Sequence, residues 1–158
     1  MFETESKTVP ITKQMFKEAY RKVKANQGSA GVDKESLEEF QANLLKNLYK
    51  LWNRLNSGGY FPKPLREVSI RKANGSKCKL GIRTVSDRAA QQVFKAYLKP
   101  RLEAVFEDNS YGYRPLKSAH QAIKAVSENV KHYIWVVDMD SKSFFDEVDH
   151  ELLHKAID

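Results

Sequence analysis

The chain has 158 residues, enough for one domain with a buried core, and 41% apolar with 30% charged residues is ordinary globular composition. No apolar run reaches the roughly 18 residues that cross a bilayer, and the acidic opening Met-Phe-Glu-Thr-Glu-Ser is not that of a secretory leader, so no membrane role is expected. The single cysteine, Cys78, excludes an internal disulfide and a cysteine-built zinc site, and suits a cytoplasmic protein, whereas a net charge of +7 favours a polyanionic partner.

In chain order, Thr12 is suited to cap a first helix whose apolar positions Met15, Phe16, Ala19, Tyr20 and Val23 keep helical spacing. The run Asn26-Gln-Gly-Ser-Ala-Gly31 ends it, and lacks the Lys-Ser/Thr of a phosphate-cradling loop. A second helix is expected from about Ser36 to Asn56, with Leu37, Phe40, Leu44, Leu48, Leu51 and Leu55 forming a seam that must be buried, and Gly58-Gly59 closes it. Pro62 and Pro64 then force an extended chain.

Val68 and Ile70 alternate with polar neighbours, Asn74-Gly75 is a strong turn signal, and Cys78, Leu80 and Ile82 alternate on the return. The expectation is a β-hairpin with its apolar side chains toward the core and its cations outward. Between Lys63 and Arg83 lie Lys63, Arg66, Arg71, Lys72, Lys77, Lys79 and Arg83 against the single acid Glu67. A solvated face mixes signs more evenly than this.

Ser86 and Asp87 are placed to cap the next helix, with Ala90, Val93, Phe94, Tyr97 and Leu98 on one side and Pro100 expected to break or kink it. Asp108-Asn-Ser-Tyr-Gly-Tyr-Arg-Pro115 is a turn-rich loop in which two tyrosines flank a glycine beside Arg114, a composition that suits stacking on bases and equally suits a packed loop. Ser118 is suited to cap a further helix with Ala122, Ile123, Val126 and Val130 inward, and Asp149 a last one; His120 and His132 lack the spacing of metal ligands.

The run Ile134-Trp-Val-Val-Asp-Met-Asp-Ser141 reads as a short buried strand that ends in two carboxylates at alternate positions, Asp138 and Asp140, on one face. Hard cations such as magnesium accept such oxygens, one or two from the protein and the rest from water and phosphates.

Read whole, Trp135-Val-Val-Asp-Met-Asp-Ser-Lys-Ser-Phe-Phe-Asp-Glu-Val-Asp-His150 resembles the first catalytic motif of group II intron reverse transcriptases. The resemblance extends through Asn26 to Asp33, through Tyr60 to Lys72, through Leu80 to Arg88, and through Ser110-Tyr-Gly-Tyr-Arg-Pro115, so that it covers nearly everything from about residue 11 onward. It implies a truncated right-hand polymerase of α+β class: an N-terminal extension over 1–35, fingers over 36–115 and the first part of the palm over 116–158. It further implies that Asp140 is the catalytic metal ligand, with the Ser141 carbonyl on the same ion, Mg2+ or alternatively Mn2+. Lys72, Lys79 and Phe145 would meet the nucleotide, and Lys63, Arg66, Arg71, Arg83 and Arg114 the nucleic acid. The implied partners are intron RNA or an RNA template with a DNA primer, and deoxynucleoside triphosphates; a homodimer is compatible with the sequence.

Two departures from the family pattern add to this reading. Arg71 and Arg83 replace prolines, which adds charge, and Cys78 stands where an arginine usually holds the triphosphate, a contact a thiol cannot make. No Tyr-x-Asp-Asp box is present, so the expectation is a piece of an RNA-directed DNA polymerase that is inactive alone, with a non-catalytic, maturase-like RNA-binding module as the alternative.

Overall fold

The computed structural model describes residues 10–157 except Lys72, Asn74, Ser76, Lys142, Ser143, Phe145 and Asp146. Lys72 and Phe145, both expected at the nucleotide, therefore lie outside the described residues. The chain forms two compact units, one ending at Phe106 and the other beginning at Glu107.

The first unit contains α1 (Lys13–Asn26), α2 (Leu37–Ala42), α3 (Leu44–Asn56), β1 (Arg66–Arg71), β2 (Lys77–Ile82) and α4 (Val85–Glu103). Thr12 caps α1 as expected, its hydroxyl accepting from the Met15 N–H. Phe16, Ala19, Tyr20 and Val23 of α1 are buried against Phe40, Leu48, Leu51 and the Val85, Ala89, Ala90 and Val93 face of α4. Apolar burial of this kind contributes roughly 25 cal/mol per Å2 and is the main force holding the helices together. The Tyr20 and Phe40 rings stack with centroids 5.4 Å apart, and Trp52 Nε1 donates to the Ile11 carbonyl at 2.9 Å, which fastens the entry of α1 to α3.

The expected single helix from Ser36 to Asn56 is instead two. Asn43, at φ −116° and ψ 31°, leaves the helical region and separates α2 from α3. The apolar seam survives because Phe40 and Leu48 both reach the core across the break, and Asn47 Nδ2 donates to the Phe40 carbonyl at 3.1 Å. A capping box on Ser36 and Glu39 starts α2, and Gly58, at φ +69°, ends α3 in the left-handed conformation that favours glycine.

Helix α4 is capped by Thr84, not by Ser86 or Asp87. Thr84 carries the extended backbone of a cap and accepts from the Asp87 N–H at 3.1 Å, which makes Asp87 the third helical residue. The helix also runs through Pro100 to Glu103, so the proline does not break it. Pro100 lies in the last turn, so the one helical bond forfeited, to the Ala96 carbonyl, is near the end of the helix.

In β1 and β2 the antiparallel register pairs Arg66 with Ile82, Val68 with Leu80, Ile70 with Cys78 and Arg71 with Lys77. One face carries Val68, Ile70, Cys78 and Leu80, and the other Glu67, Ser69, Arg71, Lys77 and Lys79. The hairpin is therefore two-sided, as expected, except that Arg66, paired with Ile82, falls on the apolar face. Its apolar side does not face the core, however: Ile70 is 49% and Leu80 47% exposed. A two-stranded sheet buries apolar side chains only where another layer covers it, and these strands pack chiefly on each other.

The second unit contains α5 (Ala119–Val130) and α6 (His150–Ile157). Ser118 caps α5 in a box with Gln121, and Asp149 accepts from the Glu151 and Leu152 N–H groups at the start of α6, both as expected. The inward face expected for α5 is not buried: Ile123, Val126 and Val130 are exposed. Residues 134–140 form neither helix nor strand, and Trp135 is 88% exposed. This corrects the expected buried strand. A strand is stabilised by its ladder, and the only sheet among the described residues is the β1–β2 hairpin.

Candidate nucleic-acid interface

The extended segment from Tyr60 to Leu65 positions the cationic hairpin, and it is tied down through its aromatic and its lysine. The Tyr60 hydroxyl donates to Asp87 Oδ1, while Thr84 Oγ1 donates to Asp87 Oδ2 at 2.6 Å. Burial, then the hydrogen bond to Asp87, raises the Tyr60 phenol well above its ordinary range, so it stays a donor. Lys63 forms an ion pair with Asp33 at 3.1 Å, which leaves its ammonium half exposed. Leu65 lies over Gly81, where an added Cβ would sit 2.7 Å from Leu65 Cδ1.

Asn26 to Asp33 docks on the start of α4. Arg88 donates from Nη1 to the Gln27 carbonyl at 2.9 Å and from Nη2 to the Ser29 carbonyl at 3.1 Å, spanning about sixty positions in sequence. A Cβ at Gly31 would meet the Thr84 backbone at 2.6 Å, so only glycine permits this approach. Burial disfavours the charge on Arg88, and the Asp33 carboxylate partly restores it. None of Tyr60, Asp87 or Arg88 was singled out for function in the sequence, because each acts through a contact with a distant segment. Their type gave one signal: a phenol, an acid and an arginine adjoining apolar helix faces need hydrogen-bond partners there.

The outward cations are brought together on one hairpin face. Arg71 and Lys77 are directly opposed, a like-charge pair that is destabilising until an anion lies over it. Lys79 shares that face and pairs with Glu67 at 3.0 Å, both side chains being well exposed, so the pair is weak and exchangeable. Cys78 is on the other face, opposite Ile70. Strand alternation thus separates Lys77 and Lys79 from the direction in which an arginine at position 78 would point. Arg66 is half-buried, its Nε lacking a hydrogen-bond partner, and Arg83 is exposed and lines a cavity of about 630 Å3 with Tyr60, Lys63, Asp87 and Phe94.

In the second unit, Arg114 Nη1 donates to the carbonyls of Glu107 and Ser110, so the guanidinium shapes its own loop. Lys117 sits over the Tyr111 ring at 5.2 Å, whereas Tyr113, at φ +56°, projects fully into solvent. Asp138, Asp140 and Ser141 are exposed. Their oxygens fit a hard cation in kind, but among the described residues no group of three or more His, Cys, Asp or Glu side chains converges as a metal cage.

Residues 70–158 match the profile of the reverse transcriptase (RNA-dependent DNA polymerase) family. The chain is 34% identical over 138 residues to the group II intron-encoded protein LtrA of Lactococcus lactis, covering 85% of this chain and 22% of that protein. It is 39% identical over 132 residues to protein YkfC of Escherichia coli (80% and 35%), and 29% identical over 136 residues to nuclear intron maturase 1, mitochondrial, of Arabidopsis thaliana (73% and 19%). The chain therefore belongs to the reverse transcriptase family, and within it to the group II intron reverse transcriptases and maturases. It spans about a fifth of LtrA and about a third of YkfC. The mixture of helices with one small antiparallel hairpin is that of an α+β part of such a protein. No helix among the described residues is long and apolar enough to cross a membrane.

Proposed function

We propose that this chain supplies the fingers, and the first part of the palm of a right-hand fold, to a cytoplasmic RNA-directed DNA polymerase of the group II intron type. On this reading residues 1–35 are an N-terminal extension, 36–115 the fingers and 116–158 the start of the palm. Its partners are intron RNA or an RNA template with a DNA primer, and deoxynucleoside triphosphates. The observation that carries the RNA-binding part is the cationic face of the hairpin, where Arg71 directly opposes Lys77 and Lys79 stands beside them. Counterion release on neutralising phosphates is the physical gain that would offset that repulsion.

Polymerisation would use a divalent ion, magnesium or manganese, which neutralises developing charge on the phosphates. Asp140 would hold it, with the Ser141 carbonyl as a further hard ligand and Asp138 in a secondary part. Lys72, Lys79 and Phe145 would meet the nucleotide. Lys63, Arg66, Arg71, Arg83 and Arg114 would meet the nucleic acid, Arg114 by shaping the loop that presents Tyr113. One principal carboxylate is too few for the chemistry, so the chain alone is inactive.

A second reading, a non-catalytic maturase-like RNA clamp, is favoured by Cys78 in place of the triphosphate arginine. The test of RNA binding common to both is a salt titration. Replacing Arg66, Arg71 and Lys72 with Ala should flatten the dependence of log affinity on log salt by roughly 0.7 to 0.9 for each phosphate that is no longer neutralised. An unchanged slope rules out the hairpin as the RNA-binding surface. Triphosphate binding by a protein of family length then separates polymerase from clamp.

A further inference from the structure

The groove between α1 and α3 takes no part in the function proposed above. Its main cavity, about 500 Å3, is floored by Phe16, Leu45, Leu48, Tyr49 and Trp52, and a smaller one of about 260 Å3 shares Leu45 and Leu48 with it. Leu45 is 74% exposed while Leu48 and Leu51 of the same helix are buried, so the apolar floor continues to the surface. The charged side chains of the rim are all basic, with Gln41 a neutral polar member. Lys13, Lys17, Arg21 and Lys24 follow one another along α1 at intervals of four, four and three residues, which keeps them on one side of the helix, and Lys46 adds a cation from α3. Across α1 and α3 the only acid is Glu18, which accepts from Gln14.

We propose that this groove docks an amphipathic helix of a separate protein, with a leucine-type stripe seated on Phe16, Leu45 and Leu48 and acidic flanks against the lysines of α1 and α3. Two helix surfaces with an apolar trough between them accept a third helix by ridge-into-groove packing, read as anchors at i, i+3, i+4 and i+7. Charge complementarity sets the sign of the flanks. The aromatics of the groove argue against single-stranded nucleic acid as the occupant. Lys13 already lies 4.7 Å from the Trp52 ring centroid and 5.4 Å from that of Tyr49, and the Trp52 N–H is spent on Ile11, so the π-faces that would stack bases are capped by the chain itself.

The full chain with Trp135→Phe leaves Trp52 as the sole indole, because the sequence has two tryptophans. Its fluorescence is followed on titration with a designed helical peptide carrying a leucine stripe flanked by glutamates, with the same peptide flanked by lysines, and with a single-stranded RNA oligonucleotide. The glutamate peptide should shift the Trp52 emission saturably and the lysine peptide should not. Leu45→Asp and Lys17→Glu, both at exposed positions, should each weaken the peptide at least tenfold while circular dichroism retains the helix content. Failure of the glutamate peptide to bind, equal binding of both peptides, or a Trp52 response to the RNA alone would overturn the proposal. So would self-association of the chain that Leu45→Asp abolishes, which would make the face a contact between copies. RNA binding by the hairpin, read separately from its salt slope, is untouched by any of these outcomes.

Discussion

The Tyr60 hydroxyl donates to the Asp87 carboxylate, joining the residue that follows the glycine pair to the first turn of α4. Asp87 is buried, and its other oxygen accepts from Thr84, so the pair fixes the angle at which the proline segment leaves α3 and enters the hairpin. Tyr60→Phe removes the donor without changing shape and leaves a buried carboxylate oxygen unpaired. Unfolding in urea should show a loss of about 1 to 3 kcal/mol, the cost of a hydrogen bond to a charged group.

The same pair gives a pH dependence with a definite sign. The folded state holds the Tyr60 proton more firmly than the unfolded chain, through burial first and the Asp87 hydrogen bond second. Above about pH 10, where an ordinary phenol ionises, the unfolded state binds fewer protons than the folded one, and stability falls as pH rises. Stability measured against pH should show a shallower alkaline decline in Tyr60→Phe than in the wild type. Parallel declines would mean that Tyr60 does not titrate as the burial requires.

Gly31→Ala should destabilise the protein more than Gly58→Ala. At Gly31 the new Cβ would fall within 2.9 Å of three backbone atoms of Arg83 and Thr84, none of which can swing away as a side chain would. At Gly58 nothing lies within 4 Å, and the cost is the left-handed conformation alone, roughly 1 to 2 kcal/mol. Midpoints of thermal unfolding, compared at one pH, decide the order.

Arg88→Lys tests the fork that holds the loop. A lysine keeps the charge but has no planar pair of donors to serve the Gln27 and Ser29 carbonyls together. Amide exchange at Gln27 and Lys34, whose N–H groups bond to the Lys24 and Gly31 carbonyls at the two ends of the loop, should quicken by about tenfold, corresponding to about 1.4 kcal/mol of lost protection, whereas exchange in the middle of α3 should not change. Uniform quickening would place the defect in global stability instead.

Much of the first unit was legible because its helices carry their own signals: the Thr12 cap, the 3.6-residue spacing of Phe16, Ala19, Tyr20 and Val23, and Gly58 at the end of α3. The hairpin was equally legible from the alternation on either side of the Asn74-Gly75 turn signal. Asn43 was missed because a leucine seam runs across it unbroken, and the seam reports burial, not backbone continuity. Thr84 was missed because Ser86 and Asp87 have equal propensity as caps, and only the approach of Gly31 to the Thr84 backbone fixes which residue stays extended. Residues 134–137 misled for the opposite reason. Their apolar run has strand composition, but a strand exists only with a neighbour to pair with. The roles of Asp140, Lys79 and Arg114 came from family likeness and not from local physics; geometry adds the hairpin face that Lys79 shares with Arg71 and Lys77 and the loop carbonyls that Arg114 holds.

Face-sharing makes a sharp prediction at position 78. Cys78 lies opposite Ile70, across the sheet from Lys77 and Lys79. If the triphosphate approaches from the Cys78 side, Cys78→Arg in a protein of family length should lower the KM for deoxynucleoside triphosphates by roughly tenfold, the order of one charge-assisted contact. Lys79→Ala should then change it little. The reverse pattern, a large loss with Lys79→Ala and no gain with Cys78→Arg, would put the nucleotide on the Arg71, Lys77 and Lys79 face.

Asp140→Asn is the decisive substitution for the proposed chemistry, and its control is two residues away. Asp138 and Asp140 are both exposed, so neither change to Asn should disturb folding, and a general defect would be expected from both alike. If Asp140 holds the metal, the amide keeps the shape and loses the charge that binds magnesium. Primer extension by a protein of family length should then fall by several orders of magnitude, while RNA affinity and its salt slope, which rest on the hairpin cations, stay as they were. Asp138→Asn should retain most of the activity. Normal extension with Asn at 140 would remove Asp140 from the metal site, and equal loss from both variants would make the two carboxylates joint ligands.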